Sequence, residues 1–154
     1  MDFTQTSWEK RESELDGQGI FAVRSIRAGE SILPYRGPRI PMAEVEESDG
    51  PVYWMAWDDD WAIDGSGEDN PARFFNHSCD PNCEAIRLDG AIWIRSIRKV
   101  EEGEELTFDY GWGLDGLFQH GCRCGAPSCV GYIVGEPYRP LARKILRQMQ
   151  RGRL

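Results

Sequence analysis

Hydrophobic positions in this 154-residue chain gather in short runs, and glycine and proline interrupt them every few residues. Such runs favour brief strands joined by turns over long helices. On this pattern Gly19–Val23, Ser31–Tyr35, Trp61–Asp64, Ala91–Ser96 and Glu105–Phe108 are predicted strands. Pro41–Glu47 and Pro71–Asn76 each read as a brief helix with proline in the first turn. The pattern changes near the C-terminus. There Leu141, Ile145, Leu146 and Met149 share one helical face, with Arg143, Lys144, Arg147 and Arg151 around it. That spacing predicts an amphipathic helix that packs on the body, or else binds an acidic surface or helps to cover an active site. The expectation is a mainly β body with small helices and long functional loops.

Length and a 40% hydrophobic content suit one domain with its own core. The first ten residues hold no apolar stretch of signal-peptide length, and nowhere do ~18 apolar residues run together. An intracellular chain is therefore expected, neither secreted nor membrane-spanning. Charge is uneven. Residues 1–136 carry 12 Lys/Arg against 26 Asp/Glu, a balance of −14, whereas residues 137–154 carry 6 basic residues and no acid, +6. Glu44 to Asp69 holds ten acids and no Lys or Arg. Duplex nucleic acid needs the opposite sign, so no direct nucleic-acid binding is expected. The acids suit a basic protein or peptide partner, or simply keep the body solvated.

Four segments carry candidate chemistry. Asp16-Gly17-Gln18-Gly19-Ile20-Phe21-Ala22 places two glycines two apart, which lets backbone approach a ligand or simply makes a tight turn into a strand. It lacks the continuation of a dinucleotide-binding loop. Arg73-Phe74-Phe75-Asn76-His77-Ser78-Cys79-Asp80-Pro81-Asn82-Cys83 packs many hydrogen-bonding groups into a few positions, as a polar ligand in a concave site requires. Gly103-Glu104-Glu105-Leu106-Thr107-Phe108-Asp109-Tyr110-Gly111-Trp112 reads as a strand ending with Phe108 and Tyr110 on one face. Cys122-Arg123-Cys124-Gly125-Ala126-Pro127-Ser128-Cys129 offers three thiolates for a tetrahedral structural zinc, with the fourth ligand to come from Cys79, Cys83 or His120. Clustered cysteines in an odd total of five point to reduced thiols on a metal rather than a disulfide framework.

Together and in this order, these segments resemble the SET-domain protein lysine methyltransferases, from about Gly17 to Ile133. The resemblance implies a β-clip-like SET fold of small sheets, with short helices and a threaded C-terminal segment. It divides the chain into a flank (1–15), the SET domain (16–113), a cysteine-rich post-SET zinc region (114–135) and a basic helix (136–154). It implies S-adenosylmethionine as methyl donor and a structural zinc held by Cys79, Cys122, Cys124 and Cys129. Tyr110 would be the catalytic tyrosine, Tyr53 a second channel tyrosine, and Phe108 the residue that sets the number of methyls added, here two or three. Gly17, Gln18, Gly19, Arg73, Asn76 and His77 would hold the cofactor, with Tyr132 closing over the adenine or the channel mouth. The implied substrate is a lysine on a basic tail, such as a histone tail. A non-catalytic module gripping a lysine-bearing tail is the alternative, since six tryptophans could build an aromatic cage.

Overall fold

The computed structural model describes residues 6–45 and 52–152. Among these residues ten strands form two sheets. The larger contains β1 (Trp8–Glu12), β2 (Gln18–Ala22), β3 (Ser31–Tyr35), β7 (Asn76–His77), β8 (Cys83–Leu88), β9 (Ala91–Ser96) and β10 (Glu105–Phe108). Its order is β1-β2-β10-β8-β9-β3, with β7 joined to β10. The smaller sheet orders β4 (Arg39–Pro41), β6 (Trp61–Asp64) and β5 (Trp54–Ala56) as β4-β6-β5. Four of the predicted strands keep their boundaries, and the fifth begins one residue early.

Alternation explains β9, where Ile92, Ile94 and Ser96 point inward. Its hairpin partner β8 turns through Asp89 (φ 51°) and Gly90 (φ 77°), a two-residue loop that needs the left-handed region at both positions. The main core joins Ile20, Ile26, Ile94, Val100 and Leu106 to Phe75 and Phe108. Trp57, just past β5, ties the small sheet to the large one. Its ring centre is 3.9 Å from the guanidinium carbon of Arg39 in β4 and 4.6 Å from that of Arg87 in β8.

Each proline-led segment forms a short 3-10 turn, Met42–Glu44 and Pro71–Phe74, rather than an α-helix. The remainder of the first, Glu46 and Glu47, lies outside the described residues, as does part of the acidic stretch. The C-terminal helix α1 (Arg139–Gln150) forms, but on a face rotated from the expected one. It rests on Arg139, Ala142 and Ile145 over Leu117 and Val134, while Leu141 is 50% and Met149 42% exposed. No helix among the described residues is long and apolar enough to cross a membrane.

Candidate active site and metal centre

The site grows from the register of β10. Its first half pairs with β2, and its second half lies parallel to β7, Thr107 opposite Asn76 and Phe108 opposite His77. Segments more than thirty residues apart in sequence therefore meet at one strand end. The Tyr110 N–H donates to His77 Nδ1 at 3.0 Å, and the two rings sit edge to face at 5.3 Å. Since Nδ1 accepts that bond, the imidazole proton belongs on Nε2, which faces Cys79 Sγ at 3.4 Å. Burial lowers His77 to about 4 against the opposing pull of Asp109, so the ring is neutral near pH 7. Asp109 Oδ1, 3.8 Å from Nδ1, is thus a polar neighbour and not a charged partner.

Tyr110 Oη donates to the Phe75 carbonyl at 2.5 Å. Burial, then the charges around it, raise this hydroxyl above its ordinary range, so it stays a phenol. Its free lone pairs are left to accept from a neighbour. Tyr110 opens onto a cavity of about 450 Å³ walled by Tyr35, Phe75, Phe108, Trp54, Met55 and Trp112. Phe108 is 7% exposed and lies 5.0 Å from the Tyr110 ring. Tyr53 does not line this cavity, although Val52 and Trp54 on either side of it do. Its ring instead packs edge-on against Phe74 at 6.2 Å, with the Arg73 guanidinium 5.5 Å above it.

Tyr35 ends a predicted strand and opens the Tyr-x-Gly core that Pro34–Pro38 keeps in common with the family, without a site role being assigned to it; it lines the cavity beside Tyr110 and its hydroxyl is raised by burial. The signal available was Tyr35-Arg36-Gly37. Fully buried Asn70 holds this tyrosine in place, accepting from the Arg36 N–H at 2.9 Å and donating to the Gly65 carbonyl at 3.0 Å. Gly65 must be glycine, because a Cβ there would stand 2.4 Å from the Tyr35 ring.

Asn76 reaches the paired-glycine turn. Its Nδ2 donates to the carbonyls of Asp16 and Gln18, both at 3.0 Å, and to Glu105 Oε1 at 2.8 Å. The same carboxylate accepts from Ser13 Oγ at 2.9 and 2.8 Å. Gly19 is a glycine for this network, since its Cβ would fall 2.2 Å from Glu105 Oε1. Gly17 is one for its backbone, at φ +43°. With Nδ2 so engaged, Asn76 Oδ1 is the group left to meet a donor. Arg73 donates from Nη1 to the Ser66 and Gly67 carbonyls at 2.6 and 2.9 Å. Its Nε is the one buried side-chain polar atom without a partner among the described residues, and Arg73 lines the cavity. A buried N–H left open this way calls for an acceptor, which a carboxylate supplies. A donor at Arg73 fits the carboxylate of S-adenosylmethionine, while Asn76 Oδ1 offers an acceptor on the side of the paired-glycine turn.

The cysteine sulfurs of Cys79, Cys122, Cys124 and Cys129 all lie within 4.8 Å of one another. Thiolates ~2.3 Å from a tetrahedral zinc stand ~3.8 Å apart, so the set fits that ion. All five cysteines are free thiols, and Cys83 sits in the main core instead. Burial raises Cys79 and Cys122, whereas backbone donors leave Cys124 lowered to about 7. Bringing all four to thiolates requires a cation among them. His120 takes no part in the cluster. It packs edge-on against Trp112 at 5.1 Å and lines the cavity. Tyr132 turns away from the cavity onto Phe118, at 5.2 Å and 89°, and its neighbour Ile133 lines the wall.

Residues 17–111 match the family model of the SET domain. The chain belongs to the SET domain family. It is 38% identical over 135 residues to "Histone-lysine N-methyltransferase, H3 lysine-4 specific" of Saccharomyces cerevisiae, covering 79% of this chain and 12% of that protein. It is 37% identical over 133 residues to Histone-lysine N-methyltransferase 2B of Homo sapiens, covering 79% of this chain and 5% of the relative. The chain thus spans an eighth or less of the length of these relatives. Its SET fold also superposes on KRYPTONITE, solved in complex with mCHH DNA, an H3(1–15) peptide and SAH. The TM-score is 0.70 at 27% identity, covering 84% of this chain and 30% of that one.

Proposed function

We propose that this SET domain transfers methyl groups from S-adenosylmethionine to a lysine side chain on a basic protein tail of the histone type. The meeting of Tyr110, in the wall of an aromatic cavity, with His77, next to Asn76 on the paired-glycine turn, carries this reading. The relatives named as histone-lysine methyltransferases, and the neighbour that holds SAH and an H3 peptide, support it. Such a substrate would place the chain in the nucleus.

When bound, S-adenosylmethionine supplies an electrophilic methyl on a sulfonium. The acceptor's problem is its proton. A lysine of pKa ~10.4 costs about 4 kcal/mol to hold neutral near pH 7.4. Walls made by Tyr35, Phe75, Phe108 and Tyr110 strip water from the amine and push its pKa down, so that it sheds the proton to solvent. Tyr110 keeps its own proton and acts by position, aligning the amine through its lone pairs rather than as a base. Alignment of this kind contributes up to ~7–11 kcal/mol when geometry is near ideal. Asn76 and Arg73 would hold the donor's amino and carboxylate groups, Gly17, Gln18 and Gly19 its backbone contacts, and His77 stays neutral beneath Tyr110. Mass-detected methyl transfer to a lysine peptide array, with calorimetry of cofactor binding, tests the reading. Absence of both transfer and binding heat would end it.

Phe108 brings no hydroxyl to the cavity, so its position adds no further bond to the amine that would restrict its rotation between transfers. Wild type is expected to reach the di- or trimethyl state, and Phe108→Tyr to stall at monomethyl-lysine. Mass spectrometry of the product decides, and monomethyl product alone from wild type at long times counts against it. The exposed acids Asp58, Asp59 and Asp60 lie on the turn between β5 and β6, near the cavity wall. Raising salt from 0.1 to 1 M shortens the screening length from ~10 to ~3 Å. kcat/KM on a basic peptide should therefore fall steeply with salt, and a flat profile would remove the electrostatic attraction of the tail.

A further inference from the structure

We propose that Arg139 is a positioning residue for Tyr110, which makes α1 a working part of the site; the inference rests on the proposed methyl transfer. Arg139 is a charged side chain only 5% exposed. Its Nη2 donates to Asp109 Oδ2 at 2.5 Å, and its Nε to the Val134 carbonyl at 3.2 Å. Asp109 immediately precedes Tyr110, and its carboxylate is saturated around that residue. Oδ1 accepts from the Gly111 N–H at 2.8 Å, and Oδ2 also accepts from the Glu136 N–H at 3.1 Å.

The segment leading into α1 presses on the same backbone. The Gly135 N–H donates to the Trp112 carbonyl at 2.8 Å. A Cβ on Gly135 would stand 2.9 Å from Gly111 Cα and carbonyl carbon, so only glycine permits this approach. Residues 109–112 are thus held from two sides: His77 takes the Tyr110 N–H, and the Val134–Arg139 segment fixes the peptides flanking it. The matched SET segment ends at Gly111, so this brace lies outside it. Removing the guanidinium leaves the Asp109 carboxylate, 22% exposed, without its cation. A part-buried anion in that position turns toward water and releases Gly111 and Glu136.

Steady-state kinetics on Arg139→Met test this, each variant assayed below the onset of its own melting. The expected result is a loss of kcat of about tenfold or more, with KM for S-adenosylmethionine and for peptide near wild type, because displacement by ~1 Å can cost ~100-fold in rate. Without cofactor, amide hydrogen exchange at Gly111 and Glu136 should accelerate. Arg139→Lys restores part of kcat, since the charge returns without the forked donor. Gly135→Ala pushes on Gly111 from an independent position and should give the same kcat-only loss, which keeps the test open if Arg139→Met does not fold. Lys144→Ala, on the exposed side of the helix, keeps wild-type rates. Wild-type kcat in folded Arg139→Met or Gly135→Ala, unchanged exchange at Gly111, or a loss confined to KM overturns the proposal. A wild type that transfers no methyl group defeats the underlying activity instead, whatever Arg139 does.

Discussion

Tyr110→Phe is expected to lower kcat for methyl transfer by about 10²–10³-fold, the cost of removing one preorganised polar group from a reacting centre. The hydroxyl makes one protein bond, to the Phe75 carbonyl, and offers its lone pairs to the cavity. Phenylalanine keeps the ring against His77, Phe108 and Trp112, so the wall and the backbone bond to His77 survive. Cofactor affinity should therefore stay within about threefold, with the loss confined to turnover. The Phe75 carbonyl loses its donor, and stability should fall by roughly 1–3 kcal/mol. Single-turnover transfer, calorimetry with S-adenosylhomocysteine and thermal melting separate these effects. A variant with wild-type turnover would take the catalytic role away from Tyr110.

Stripping the metal from the Cys79, Cys122, Cys124 and Cys129 set is expected to abolish activity and unfold the region they enclose. Zinc binding is worth ~10–16 kcal/mol in small metal-folded peptides, more than the local core here can replace. That core is small: Leu117, Val134 and Ala142, with Tyr132 and Ile145 packed on them. The ligand set also bridges distant parts, since Cys79 follows His77 by two residues while the others come from the chain after β10. Loss of metal should thus free α1 and unsettle His77 together. Chelation with a colorimetric zinc assay, hydrogen exchange over residues 114–150 and methyl transfer on the same sample measure all three. Cys124→Ser should behave as the chelated protein, whereas Cys83→Ser keeps its full metal content. Intact protection and turnover in metal-free protein would show that the cluster is dispensable.

The strands with a strong apolar pattern could be read from sequence, and those without one could not. Ala91–Ser96 alternates, so β9 was legible to the residue. Trp8–Glu12 is charged and mostly exposed, as suits an edge strand, and offers no alternation to read. The two residues of β7 are a strand only because β10 lies beside them. β8 was missed although Asp89-Gly90 marks its hairpin, because Glu84 and Arg87 break up the apolar positions of Cys83–Leu88. At the site, Tyr110, Asn76 and His77 could be singled out because their motifs are dense; the structure joins His77 to Tyr110 and turns Asn76 to the paired-glycine turn. Tyr53 and Tyr132 carried no such constraint, and both turn their rings onto neighbours outside the cavity wall. The amphipathic pattern of α1 gave the helix but misjudged its contact face, because a buried ion pair at Arg139 rather than Leu141 and Met149 sets its rotation.

Among the described residues β10 is the last strand in sequence, yet its partners in the large sheet, β2, β7 and β8, all precede it. A growing chain must therefore wait, with β2 and β8 presenting bare backbone to solvent, until residues 105–108 emerge and slot between them. Such exposed strand edges invite pairing with other chains. Whatever shelters the nascent protein has to leave that gap open, and a polypeptide interrupted before Glu105 is left with adhesive borders and no means to close them.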